Sequence, residues 1–506
     1  MLAKVFSATV YAIEGFFIEV EIDISSGFPT FTIVGLPDTA VKESKERVTA
    51  AIRNSGFDFP TKKITVNLAP ADFKKEGAGF DLPIALGILA ALGKVNLEEI
   101  KKYFIVGELA LDGSVRAVKG VLPIALKVAR EKNNNLIVPH QNIKETAVAD
   151  INAFSVKNLT EAIKFINKEI EIAPFKMNLE ELYEENYFYD VDFSEVKGQQ
   201  FAKRAIEVAA SGGHNILMIG PPGAGKTMLA SRIPTILPKL TIEEAIETTK
   251  IYSVAGLLND KFISVRPFRA PHHTISDVAL VGGGQIPKPG EISLAHNGVL
   301  FLDELPEFDR NVLEVLRQPL EKGYVTVSRA AFKCDFPARI MLVAACNPCP
   351  CGYYGHPKKE CVCTPYQIQK YISKLSGPLL DRIDIQIEVP PVDVEDITSD
   401  LPFETSEEIR KRVEKVRKIQ YERYKNKKIF TNSQLTTKLI KEFCPMTDEA
   451  KRILKISIEK LNLSARAYDR IIKVARTIAD MDNKEIIDST HISEAVQYRS
   501  IDKLVK

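Results

Sequence analysis

His214-Asn-Ile-Leu-Met-Ile-Gly-Pro-Pro-Gly-Ala-Gly-Lys-Thr-Met-Leu-Ala230 is the stretch on which the fold turns. Ile216 to Ile219 is an apolar run of strand length, and the residues from Met228 onward favour a helix, so the segment between them is a strand-to-helix turn. In that turn Gly220-Pro221-Pro222-Gly223-Ala224-Gly225-Lys226-Thr227 matches G-x-x-x-x-G-K-[ST]. Glycines let backbone N–H groups curl round a phosphate, and the helix N-terminus adds positive potential. Lys226 is placed to reach the β- and γ-phosphates, and the Thr227 hydroxyl to ligate magnesium. The expected ligands are a nucleotide's phosphates and Mg2+.

Working outward, Leu300-Phe-Leu-Asp303-Glu304 is an apolar strand ending in two acids, with Asp303 standing 77 residues after Lys226. Asp303 can hold the magnesium through water, and Glu304 can orient the attacking water. A third strand, Ile340 to Ala344, leads to Asn347, whose amide falls beside the γ-phosphate if these strands are neighbours. Strands alternating with helical patterns from Val196 to Pro391 indicate a parallel sheet with crossover helices.

The chain has 506 residues, which at about 150 per domain means roughly three domains. We expect an α/β domain at 1–170, an acidic linker at 171–195, an ATPase core at 196–391 and a helical domain at 392–506. Lys plus Arg number 68 against 66 Asp plus Glu, a net charge of +2, which excludes nucleic-acid binding through overall basicity. Any polyanion site must be local. The longest apolar run, Leu82 to Leu92, is too short to span a bilayer, and the strand-like N-terminus lacks a signal peptide's apolar core. A cytoplasmic protein with reduced thiols and no membrane partner is expected.

Cys349-Pro-Cys351 and Cys361-Val-Cys363 place four thiols in two close pairs across a short loop. In a reducing compartment such a set suits tetrahedral Zn2+, with His356 as an alternative ligand, although small buried residues in a tight loop would give the same pattern. A closed four-sulfur site has no open position, so its role would be structural.

Several longer strings narrow the reading: Arg266-Pro-Phe-Arg-Ala-Pro-His-His-Thr274, Gly282-Gly-Gly284, Pro289-Gly-Glu-Ile-Ser-Leu-Ala-His296, Arg317-Gln-Pro-Leu-Glu321, Asn347-Pro-Cys-Pro-Cys-Gly352 and Ser376-Gly-Pro-Leu-Leu-Asp-Arg-Ile-Asp384. With the P-loop and the Asp-Glu strand, they resemble the magnesium chelatase-like ComM/YifB family of AAA+ ATPases. The resemblance implies a ring, a hexamer, with sites between subunits. It implies that Asn347 is sensor 1, Arg382 an arginine finger sent into the neighbour's site, and Arg466 in Ser464-Ala-Arg-Ala-Tyr-Asp-Arg470 the lid's sensor 2, with Arg470 as its rival. A surface ion pair with Asp381 or Asp384 is the alternative for Arg382.

Phe104-Ile-Val-Gly-Glu-Leu-Ala-Leu-Asp-Gly-Ser-Val-Arg116 resembles the Lon protease domain. Where that family carries its serine the chain reads Glu76-Gly-Ala-Gly79, and Leu122 and Ile124 stand where its lysine is expected, so no Ser–Lys dyad is present. The family resemblance implies a DNA translocase or helicase acting on single-stranded or branched DNA, promoting branch migration in homologous recombination and natural transformation. A chelatase-type motor for metal insertion, or a protein remodeller with a protease-like domain, is the alternative. Candidate DNA contacts are Val281–Pro289 with Lys288, Glu321–Phe336 with Lys322, Arg329 and Lys333, and the helix from Arg410 to Lys428, which holds ten Lys or Arg against two Glu. A solvated lid helix is the other reading of that last segment. His272 and His273 could line the nucleotide site or the pore, or serve as loop histidines.

Overall fold

The computed structural model describes residues 1–499 except 186, 259–261, 285–286, 330–331, 376, 393–402, 428 and 462. Ser376, Lys428 and parts of both candidate DNA loops therefore lie outside the described residues. The fold is α/β with two main sheets and a helical C-terminal region. The chain divides into two compact units, Met1–Tyr187 with Thr241–Ser264 and Gln285–Pro289, and Phe188–Leu240 with Val265–Gly284 and Gly290–Lys506.

In the first unit the alternating N-terminal sequence forms a hairpin, Leu2–Tyr11 against Glu14–Ser25. It turns at Ala12, which takes a left-handed φ of 55°. Alternate residues Val5, Ile18, Val20 and Ile22 are buried, as a sheet with one covered face requires. Five further strands, Thr30–Val34, Lys63–Ala69, Phe104–Ile105, Asn135–Pro139 and Asn152–Val156, complete a mixed seven-stranded sheet. The apolar run at 82–92 lies in a helix, Asp81–Ala91, whose every residue is buried. Leu122 and Ile124 are likewise core residues, of the helix Val121–Val128.

This unit also takes in a segment from the range expected to be ATPase core. Helix Ile242–Ala255 lies in the N-terminal unit, where Gly120 N–H donates to the Ser253 carbonyl at 3.1 Å and the Ser253 hydroxyl donates to Glu145 at 2.5 Å. The stretch read as a linker also has structure: Leu179–Glu185 is helical, and Phe193 is buried in the core of the second unit.

The second unit is built on a five-stranded parallel sheet in the order Phe268–Arg269, Val299–Leu302, Met341–Cys346, Ile216–Ile219, Ile385–Glu388. The non-sequential order requires crossovers, which the helices supply. Ile219 pairs with Cys346 and Leu302 with Ala344, so the residues after each strand leave from the same carboxyl edge. That edge is where open α/β sheets bind ligands. The hairpin Tyr324–Arg329 and Phe332–Pro337 stands apart as a two-stranded ribbon.

Five C-terminal helices, Ser406–Arg423, Thr437–Phe443, Asp448–Leu461, Ala465–Met481 and Ser489–Gln497, bury Ile409, Val413, Ile471, Ile478 and Ile492 in the same core as the sheet. The first of them, the basic helix, spends its arginines inside the unit. Arg412 pairs with Glu207 at 2.6 Å, Arg423 is paired with Asp480, and Arg417 donates to the Ala210 carbonyl at 2.7 Å. Lys411, Lys415 and Lys418 are exposed, and so is Arg412 in part despite its ion pair.

Candidate nucleotide site

The P-loop strand Ile216–Ile219 delivers Gly220 to the sheet edge, and the helix Lys226–Ile236 leaves from it. Gly223 and Gly225 take φ of 79° and 83°, left-handed values that other residues adopt only under strain. A Cβ at Gly220 would sit 2.2 Å from the Val389 carbonyl oxygen, so glycine is required there for close approach as well. These are the turns that aim consecutive backbone N–H groups at one point.

Lys226 is buried, and its ammonium donates to the carbonyls of Gly220 (2.6 Å) and Pro221 (2.9 Å) and to Asn347 Oδ1 (3.3 Å). Among the described residues no carboxylate is paired with it. Burial lowers its pKa from the ordinary lysine value, opposed by the charges of Asp303 and Glu304. An ammonium held by neutral carbonyls at a glycine-rich turn fits a polyanion. The Thr227 hydroxyl donates to Asp303 Oδ2 at 2.8 Å, bringing together two oxygen groups of the kind that serve a hard cation. The donor set therefore fits Mg2+ with a nucleotide polyphosphate.

The Asn-tipped strand lies between the P-loop strand and the Asp-Glu strand, so Asn347 and Asp303 both come to this point from the same side of the P-loop strand. Glu304 has a left-handed φ of 52° and is half exposed. Its Oε2 lies 3.4 Å from His273 Nδ1, and the His273 ring lies against that of His272 at 4.0 Å. The loop carrying both histidines follows Phe268–Arg269, the strand beside the Asp-Glu strand, which is why it arrives at Glu304.

The two cysteine pairs come together. All four sulfurs lie within 4.8 Å of one another, with Cys349 3.3 Å from Cys351 and 3.7 Å from Cys361. This is compatible with zinc. His356 is outside the group, and its Nδ1 accepts the backbone N–H of Lys358 and of Lys359.

Arg382 is paired with Glu321, not with Asp381 or Asp384. Those two acids are taken by the lid helix: Arg466 reaches Asp381 at 3.4 Å and Arg470 reaches Asp384 at 2.5 Å. Arg466 is 64% exposed, whereas Arg470 is 21% exposed and its partner is fully buried. The sequence could not separate these two arginines. In the structure Arg470 has an internal task and Arg466 is the one facing solvent.

Three family descriptions match along the chain: subunit ChlI of magnesium chelatase at residues 192–397, the ChlI subunit at 20–142 and the ChlI C-terminal region at 403–499. Competence protein ComM of Haemophilus influenzae is 47% identical over 511 residues, covering 100% of this chain and 99% of that protein. The chain belongs to the ComM/YifB family of magnesium chelatase-like AAA+ proteins. YifB of Escherichia coli is 45% identical over 492 residues, 96% of this chain and 95% of that protein. The 67 kDa magnesium-chelatase subunit of Chlorobaculum parvum aligns over only 31% of this chain, at 26% identity. Membership of this ComM/YifB family implies ATP and Mg2+ as cofactors. No helix among the described residues is long and apolar enough to cross a membrane.

In this ComM/YifB chain the pair Arg470–Asp384 belongs to a buried network that the motifs do not reveal. His214 Nδ1 lies 3.2 Å from Asp384 and its Nε2 2.8 Å from the Thr477 hydroxyl. Gly212 makes room for it, since a Cβ there would fall 2.2 Å from His214 Nε2. Burial alone would raise the pKa of the Asp384 carboxyl, but Arg470 and His214 outweigh it and hold the carboxyl well below its usual range. Burial pulls the His214 imidazole below 6.5 despite that same carboxylate. Both folded-state pKa values lie below their unfolded values, so both groups stabilise the fold above their unfolded values and lose that contribution as pH falls. We expect thermal stability to decline as pH drops from 7 toward 4. Arg470→Ala, which strands a buried carboxylate, should cost about 3–5 kcal/mol at neutral pH, read by chemical denaturation. Arg466→Ala should leave stability within about 0.5 kcal/mol, since its pair is exposed.

Proposed function

We propose that this protein is an ATP-driven DNA motor, a ring of six subunits that promotes branch migration of single-stranded or branched recombination intermediates during uptake of donor DNA. The observation that carries the reading is the match to a competence protein along the whole chain, joined to a P-loop site with its acids in place. Gly220 to Gly225 and Lys226 bind the phosphates, and Thr227 and Asp303 hold the cation. When bound there, Mg2+ would neutralise charge on the nucleotide's phosphates. Glu304 accepts the proton of the attacking water, Asn347 orients it, and Arg382 from the neighbouring subunit with Arg466 meets the developing charge. The four cysteines hold a structural Zn2+. The match to a competence protein over the whole chain, against 31% for the 67 kDa chelatase subunit, favours the DNA reading over metal insertion.

DNA is held by loops repeated around the ring. Lys288, Lys322 and Lys333 are exposed, the last on the two-stranded hairpin. Each phosphate neutralised by such a lysine adds about 0.9 to the slope of log affinity against log salt. The ATPase rate is expected to rise with single-stranded or four-way-junction DNA at low salt. The triple change of Lys288, Lys322 and Lys333 to alanine should remove most of that stimulation and flatten the salt slope by about 2 or more, with the DNA-free rate retained. ATP hydrolysis without any response to DNA at low salt overturns the DNA reading and leaves the ATPase one standing.

A further inference from the structure

The strand Met341–Cys346 ends at Asn347, which touches Lys226, and the cysteine loop begins two residues later. From residue 348 to 364 only Cys349 and Gly352 are buried, and Val362, between the last two cysteines, is 83% exposed. Such a segment has no apolar core to offset the entropy of ordering it. What it has is four thiols. A tetrahedral site with Zn–S bonds of about 2.3 Å requires sulfurs about 3.8 Å apart. The distances 3.3, 3.6 and 3.7 Å, and the 4.8 Å limit for the whole set, are close to that before any ion draws them in. Cys349 Sγ also accepts the Tyr354 backbone N–H at 3.3 Å, a contact that suits a thiolate.

The loop bears on the phosphate loop. Gly352, next to Cys351, has φ of 83°, and a Cβ built on it would lie 2.6 Å from Pro222 Cδ and 2.8 Å from its Cγ. Pro222 is the third residue of the P-loop, between the strand and Gly223. Gly352 is therefore pressed against the loop that cradles the phosphates, while Asn347, at the root of the same segment, touches the P-loop lysine. A small apolar cavity of about 20 Å³ lies beside this root, lined by Ile219, Pro348, Tyr354 and Tyr371 among others.

We propose that the four-cysteine loop is a zinc-thiolate brace for the phosphate loop, so that affinity for nucleotide depends on the metal being bound. The metal fixes Cys351, Cys351 fixes Gly352, and Gly352 holds Pro222 in the conformation that turns the backbone N–H groups toward the phosphates. No sulfur is left open for substrate, so the metal takes no part in hydrolysis. This rests on the P-loop being a nucleotide site.

The full-length protein, purified without chelators, is expected to contain roughly one zinc per chain by elemental analysis. Stripping the metal, or replacing Cys361 and Cys363 by serine, should weaken binding of a fluorescent ATP analogue by about 10-fold or more, and returning zinc to the stripped wild type should restore it. Gly352→Ala should keep its zinc and still lose about 10-fold in affinity, which separates the contact with Pro222 from the metal itself. Circular dichroism identifies any variant that has unfolded, and reversible stripping of the wild type then carries the test. Less than about half a zinc per chain, or equal affinity with and without metal, overturns the proposal. Zinc-loaded wild type that binds no nucleotide overturns the P-loop reading and the brace with it.

Discussion

Glu304→Gln is expected to bind ATP and then stall, with turnover reduced by about 10²–10⁴-fold and affinity little changed. Glu304 stands at the mouth of the site in a left-handed turn, half exposed, its carboxylate 3.4 Å from His273 and not paired with Lys226. The amide keeps the size and one acceptor oxygen but cannot take a proton. Lys226→Ala should fail earlier. Its ammonium is buried on neutral carbonyls, and removing it leaves the phosphates of a bound nucleotide without their cation, so binding itself is lost. A filter-binding or fluorescent-nucleotide titration beside a steady-state phosphate assay separates the two. A Glu304→Gln protein that hydrolyses ATP within threefold of the wild type would remove Glu304 from the chemistry.

Arg382→Ala is expected to lower hydrolysis by about 10³-fold or more while leaving nucleotide affinity and stability near those of the wild type. In the single chain the guanidinium is largely buried and paired with Glu321. As a stabilising contact with a half-exposed glutamate, that pair is worth at most about 1 kcal/mol. A large kinetic loss with a small stability loss is what a group acting in a neighbour's site would give. Glu321→Ala is the control, because it breaks the same ion pair without removing the arginine and should keep most of the activity. The decisive experiment mixes Arg382→Ala with Lys226→Ala. In mixed rings the Lys226→Ala subunit still offers its Arg382 to an intact P-loop, so activity should return in proportion to such junctions. If no activity returns and Arg382→Ala alone hydrolyses ATP normally, Arg382 takes no part in the neighbour's site.

Several parts of the site could be read directly from residue order, because each is a local device. A P-loop needs its glycines and lysine within eight consecutive residues, and the turn forms wherever a buried strand feeds a helix there. The Asp-Glu pair and Asn347 are strand ends, recognisable from an apolar run followed by a polar tip. The hairpin near 324–337 follows from its own alternation. The cysteine pairs stand out through spacing.

Other features depend on which segments the sheet makes neighbours. Gly352 and Pro222 are 130 residues apart, and they touch because the Asn-tipped strand lies beside the P-loop strand. His273 reaches Glu304 because the strand before it pairs with the Asp-Glu strand. Arg466 and Arg470 are four residues apart on one helix and chemically identical, and only the burial of Asp384 distinguishes them. The arginines of the helix Ser406–Arg423 look like a polyanion surface in sequence, yet Glu207, Asp480 and the Ala210 carbonyl occupy three of them. Helix Ile242–Ala255 follows the P-loop helix in the chain but is counted with the N-terminal unit. Sequence alone determined what short-range backbone geometry imposes, namely a glycine-rich strand-to-helix turn, two acids and an asparagine at strand tips, and two close pairs of thiols. The tertiary structure decided which charges are already spent and which residues brace the turn, because burial and long-range contact are properties of the sheet order and not of any one segment.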